Sequence, residues 1–187
     1  MFIFEAPIAQ STMHPLTQSL TARIKDASLG KIPMEVLFES IWEVEFRIPR
    51  EELKQINQAA HQLAVANKEQ DLRSFALAEV TFGIFHFYIA DYSVALDHHT
   101  NALQCFRELQ DEAGIGLSMM NIGATYRSLG DLDLALEYSL EATDKLKKAN
   151  KYLKFACYGY YGIAEMYFGM KQFQESLPHY EAALALG

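Results

Sequence analysis

The sequence predicts an all-α fold, built as a stack of antiparallel helix pairs, and three observations lead there. Prolines are confined to Pro7, Pro15, Pro33, Pro49 and Pro178, so apolar residues recur every three or four positions through a long uninterrupted run. No sustained alternation of apolar and polar residues occurs, and no Asn-Gly or Asp-Gly turn separates β-branched runs. Segments about forty residues apart also carry the same small and aromatic residues, the mark of a helical repeat.

Taken in order, the opening segment holds Phe2, Ile3, Phe4 and Ile8 but has no clear period and is assigned no structure. It shows no basic leader and is broken by Glu5 and Pro7, so neither a signal peptide nor a membrane span is expected there. Residues 1–33 thus form an N-terminal segment with one short helix, Leu16 to Leu29, ended by Gly30 and Pro33. Residues 34–70 read as a degenerate capping pair. Its first helix is Met34 to Ile48, with Leu37, Ile41, Trp42, Val44 and Phe46 on one face; its second is Glu51 to Asn67, with Leu53, Ile56, Ala60 and Leu63. Residues 71–187 then divide into three repeats, at about 71–110, 111–150 and 151–187.

The pattern is clearest around Gly123, Ala124, Tyr126, Leu129, Gly130, Leu132, Ala135, Leu136 and Ala142. Gly83, Ala90, Tyr92, Ala95, Leu96 and Ala102 occupy the same slots earlier, and Ala164, Tyr167, Phe173, Ser176, Leu177, Tyr180 and Ala183 occupy them later. Small residues at fixed places let two helix backbones approach closely, and the large ones fill the remaining gaps. One hairpin cannot bury its apolar stripe alone, so neighbours must stack into a continuous core with a concave and a convex face. These residues resemble the tetratricopeptide repeat family, and the resemblance covers about 75 to 187. It implies a right-handed superhelical α-solenoid. The period near forty exceeds the usual length of about 34, as in the long-helix variants of bacterial signalling proteins and kinesin light chains. Tyr180 to Gly187 ends within a second helix with no polar cap after it. The expectation is therefore a fragment of a longer protein, or an end covered by another surface.

Composition narrows the function. Sixteen basic and 24 acidic side chains give a net charge of −8, which repels a phosphate backbone and argues against nucleic acid as a partner. Cys105 and Cys157 lack Cys-x-x-Cys spacing and read as reduced packing residues of a cytoplasmic protein. There is no His-Glu-x-x-His, no Gly-x-Ser-x-Gly elbow and no glycine-rich phosphate loop; Ala113 to Gly116 lacks the lysine and preceding strand such a loop requires. Glu79, Asp97, Glu137, Glu141 and Glu165 read as solvated carboxylates on different helical faces. No catalytic residue and no cofactor is expected, and the chain is read as no enzyme.

In the repeat family the concave face is lined by first helices. The matching positions are Leu77, Val80, Ile84, Phe87 and Tyr88; then Leu117, Met120, Asn121, Ala124 and Arg127; then Tyr158, Tyr161, Glu165 and Phe168. A face so rich in aromatic and apolar side chains is expected to bind a peptide or an amphipathic helix, or else to be filled by the chain's own N-terminus or a second copy. The carboxylate clamp of chaperone-binding relatives is not matched, since Val80, Ile84, Tyr158 and Gly162 stand at its positions and only Asn121 agrees. His86 and His99 fall where the family packs large rings between paired helices and read as core residues, with His98 facing solvent; no metal site is expected. The resemblance implies a protein-interaction module serving as the N-terminal sensory or scaffolding region of a larger bacterial signalling protein. The alternative is a homodimerisation surface that includes Phe2, Ile3, Phe4, Ile8 and Trp42.

Overall fold

The computed structural model describes residues 13–44 and 47–186. Phe2, Ile3, Phe4, Ile8 and Phe46, and the chain end at Gly187, lie outside them. Among the described residues there are nine helices and no strand: α1 (Pro15–Ser28), α2 (Met34–Val44), α3 (Arg50–Ala66), α4 (Leu72–Tyr88), α5 (Tyr92–Glu108), α6 (Glu112–Leu129), α7 (Leu132–Ala149), α8 (Leu153–Gly169) and α9 (Phe173–Leu186).

The turns between them explain the forty-residue period. Asp71, Asp91, Asp111 and Asp131, each twenty residues after the last, are N-caps of successive helices. Three of these side chains accept a backbone N–H two or three residues into the helix: Asp71 from Ser74, Asp111 from Gly114 and Asp131 from Leu134. Just before the junctions sit Ala90, Gln110, Gly130, Asn150 and Lys171, all in the left-handed region. After each, the next N–H turns back to a carbonyl five residues earlier, as in Asp91 to His86, Asp111 to Phe106 and Asp131 to Tyr126. This Schellman closure satisfies the free carbonyls of the ending helix, and repeating it every twenty residues makes each hairpin about forty residues long. A non-glycine residue in this conformation costs about 1–2 kcal/mol, partly offset by the extra chain entropy of glycine. Gln110→Gly is therefore expected to stabilise the fold by about 0.5–1 kcal/mol, read as a raised denaturation midpoint with unchanged slope.

Packing follows from the small residues. The pairs α4/α5, α6/α7 and α8/α9 make the tightest contacts; α5 meets α6, α7 meets α8, and α4, α6 and α8 line up as an inner layer. A Cβ on Gly123 would lie 2.6 Å from Ser139 Oγ and 3.1 Å from the Ala135 carbonyl oxygen, so only glycine lets α6 and α7 come this close. Gly83 makes room for the His99 ring in the same way, and Ala164 is fully buried. The inner helices are enclosed on nearly all sides: Ser74 to Thr81 of α4 and Ala113 to Met120 of α6 are buried without a break. The chain is an α-solenoid.

The first helices depart from hairpin stacking. α3 packs beside α4 on the outer layer, α1 rests on α2 and α3, and α2 turns inward to lie against α4 on the concave side. Leu37, Phe38, Ile41 and Trp42 of α2 are buried there.

Candidate functional site

A cluster of charged residues holds α2 against the inner layer. Glu35 pairs with Arg73 Nη1 at 2.7 Å, accepts from Lys151 Nζ at 2.8 Å and accepts from the Tyr152 hydroxyl at 3.2 Å. Arg73 also donates through Nε to Asp111 at 3.1 Å and through Nη2 to the Tyr152 hydroxyl at 3.3 Å. One latch thus joins α2, the start of α4, the α5–α6 turn and the start of α8. Tyr152 adopts φ 55°, an uncommon conformation for a bulky residue, and the latch on its hydroxyl helps to hold it. Partial burial alone would raise the Glu35 pKa, but the hydrogen bonds from Lys151 and Arg73 overcome this and hold it down at about 2. A lowered folded value stabilises docking above the unfolded value near 4.5, and that contribution fades as pH falls toward 2. Acidification over this window is expected to red-shift the emission of Trp42, the sole tryptophan. In Glu35→Gln the shift should be present already at pH 7 and acid should add little to it.

Above the latch, Trp42 stands on the inner layer. Its ring meets Tyr152 edge-on at 6.0 Å and Phe155 at 5.5 Å, and its Nε1 donates to Thr81 Oγ1 at 2.9 Å. Thr81 in turn donates to the Leu77 carbonyl at 2.8 Å, so the buried indole N–H is satisfied without water. Beside it opens a cavity of about 590 Å³. Its walls are Glu39, Trp42 and Glu43 of α2; Ile84, Phe87 and Tyr88 of α4; Met120, Asn121, Ala124 and Arg127 of α6; and Tyr152, Leu153, Lys154, Phe155, Tyr158 and Tyr161 at α8.

Several residues expected on the open face are placed otherwise. Leu77, Val80 and Leu117 are fully buried: motif register selects the inward face, but α2 lies over that of α4, and α6 is enclosed by its neighbours. Ile84, Phe87, Tyr88, Met120, Asn121, Arg127, Tyr158 and Tyr161 line the cavity. Glu165 and Phe168 are exposed further along α8, outside it; Glu165 accepts a short hydrogen bond from the Tyr180 hydroxyl, and Phe168 meets Phe173 edge-on at 5.2 Å. Asn121 Nδ2 donates to the Leu117 carbonyl at 2.9 Å, so this amide is turned to its own helix. The contribution of Glu39, Glu43, Tyr152, Lys154 and Phe155 was not foreseen, because it depends on how α2 and the α7–α8 turn fold over the groove.

A second constellation lies on the outer side, between α3, α4 and α5. Glu79 is 2% exposed, not solvated. Its Oε1 is 2.5 Å from His61 Nε2; its Oε2 is 3.0 Å from His98 Nδ1 and accepts from Asn101 Nδ2 at 3.1 Å. Burial raises the Glu79 pKa, but these three hydrogen bonds dominate and hold it down at about 2, so it stays ionised. His98 is therefore half-buried and engaged, not facing solvent. His86 is half-buried with Nδ1 3.3 Å from Asp91, and burial lowers its pKa. His99 is core, as its slot implies: burial drives its pKa down to about 3, so it is a neutral ring seated on Gly83.

With this geometry in hand, likeness to known proteins becomes informative. Residues 116–151 match the family model described as tetratricopeptide repeat. This segment is a tetratricopeptide repeat. It spans most of α6 and all of α7, the pair joined at Gly123 and capped at Asp131. No curated protein sequence matches the chain. Among solved structures, the crystal structure of BtubC (BKLC) from P. vanneervenii superposes with a TM-score of 0.58 at 15% identity, over 91% of this chain and 78% of that one. That likeness is one of fold. The tetratricopeptide repeat match at 116–151 makes the chain a candidate interaction or scaffold module, and no described helix is long and apolar enough to cross a membrane.

Proposed function

We propose that the chain is a peptide-binding module whose concave cavity takes an extended or helical segment of a partner protein through aromatic anchors. The observation that carries this is the exposure of large rings beside that cavity. Tyr158 is 59% exposed and Tyr161 51%, and the same cavity is lined by Arg127 and Lys154 from α6 and α8 and by Glu39 and Glu43 from α2. Rings that stay open to water are costly unless something covers them, and aromatic residues and Arg are the common anchors of interfaces. A lining that carries both basic and acidic side chains suits a segment that carries charges of both signs. This reading makes the protein a binding module and not an enzyme. The forty-residue period further supports a sensory or scaffolding role at the N-terminal side of a larger bacterial signalling protein, acting inside the cell. Binding would then bias the curvature of the stack by no more than the ligand's differential affinity for two shapes.

Trp42 forms part of the cavity wall and reports its occupancy directly. Titrating a panel of aromatic-bearing peptides should shift its emission, and Tyr158→Ala with Tyr161→Ala should weaken the best binder at least tenfold without lowering stability. Binding that ignores both substitutions would count against the cavity. A second copy of the chain is the alternative occupant, favoured by α9, where Phe173 is 55%, Leu177 57% and Leu184 82% exposed. A mass that rises with concentration in light scattering, and falls in Leu184→Glu, would select it.

A further inference from the structure

We propose that His61, Glu79 and His98 form a binding site for a divalent transition metal, with zinc the best match, which ties α3 to the α4/α5 hairpin. Three separate helices supply the donors: His61 from α3, Glu79 from α4 and His98 from α5. One ligand atom from each lies within 4.8 Å of the other two. Two imidazoles and one carboxylate suit zinc, which takes nitrogen and oxygen donors at about 2.0–2.2 Å and leaves a fourth position for water.

The surroundings are built as a metal site requires. Glu79 sits at the centre with its side chain 3% exposed, and a buried carboxylate calls for a compensating positive charge. Asn101 Nδ2 donates to Glu79 Oε2 and fixes its orientation, the role that outer-sphere partners play around metals. Phe82 walls the cluster, stacked on His61 at 4.8 Å and edge-on to His98 at 4.9 Å, so the rings are held in place and bulk water is kept back. Access remains, because the His61 and His98 side chains are 20% and 18% exposed. Tetrahedral coordination at these bond lengths needs donors about 3.3 Å apart, against 2.5 and 3.0 Å to Glu79 here. The three ligand atoms lie within 4.8 Å of one another, and the two partly exposed rings shift to reach the tetrahedral spacing. Each neutral ring then presents the lone pair of its facing nitrogen and carries its proton on the other one.

His86 is not a donor, since its Nδ1 faces Asp91. Its ring stacks on His98 at 5.7 Å and forms part of the wall. The consequence is mechanical. α3 packs on α4 less extensively than α5 does, and a metal bridge would pin it to the first hairpin.

The test uses the full chain, stripped with chelator and then loaded with zinc or cobalt(II). One equivalent is expected to bind. Zinc at a hundredfold excess over its dissociation constant should raise the melting temperature by about 5–10 °C, and cobalt should give the intense visible absorption of a tetrahedral site. His61→Ala and His98→Ala should each abolish both responses, Asn101→Ala should weaken binding tenfold or more, and His179→Ala, far along the chain on α9, should change neither. Should an alanine variant fail to fold, Glu79→Gln keeps the size but replaces one carboxylate oxygen by an amide NH2 and removes the charge, and it should lose the zinc response. No stoichiometric binding by the wild-type chain, or equal binding by His61→Ala and His98→Ala, would overturn the site.

Discussion

Phe106→Ala is expected to destabilise the protein by about 3–5 kcal/mol, which for a chain of this size lowers the melting temperature by about 6–20 °C. Phe106 is fully buried at the joint between α5 and α6. Its carbonyl closes the turn by accepting from Asp111, and its ring lies where a side chain on Gly114 would be. A Cβ at Gly114 would come within 2.2–2.5 Å of three ring carbons, so the glycine and the phenylalanine specify one another. The pairing makes a sharper prediction than the single substitution. Gly114→Ala alone should cost about 1–3 kcal/mol by overpacking, lessened by about 1 kcal/mol of helix propensity. In the Phe106→Ala background the clash is gone, and the same alanine should be neutral or stabilising. Chemical denaturation of the four proteins measures the coupling; additivity within about 0.5 kcal/mol would mean the ring and the glycine do not determine this joint.

The difference between what the sequence revealed and what it concealed has a physical cause. Helices and their pairing were legible, because burying one stripe of a helix forces a period of three and four, and close crossing forces Gly123 and its equivalents to be small. The motif puts Leu77 and Val80 on the inward face of α4, where the structure has them, but says nothing about what lies on that face. Their cover, α2, reaches them by tertiary contacts that leave no period. Glu79 was read as solvated since one carboxylate in a helical pattern resembles any other; His61, His98 and Asn101, from two other helices, make it different. The turn at Gly130 was visible as a glycine, whereas Ala90, Gln110 and Lys171 adopt the same conformation unannounced. The aspartates at twenty-residue spacing were the available signal for those turns.

Trp42→Ala should release α2 from the inner layer while leaving the repeat stack folded. Removing a buried tryptophan costs about 3–5 kcal/mol, and here the loss falls on one short helix. Only Leu37, Phe38 and Ile41 remain buried on α2 beside the indole, together with the partly exposed Glu35 latch. Leu117, Ile122 and Leu146 are buried in α6 and α7, the pair of helices in tightest contact with each other. The result is therefore expected as local opening and not global unfolding. Hydrogen exchange should show α2 amides losing protection while α6 and α7 keep theirs, and peptides should reach an enlarged groove. Trp42→Phe, which keeps a ring against Tyr152 and Phe155 but removes the donor to Thr81, should cost only about 1 kcal/mol. If Trp42→Ala leaves α2 as protected as before, the helix is held by its charged latch and its other buried residues without the indole; if the whole chain loses cooperativity, α2 is part of the core and not a strap across the concave face.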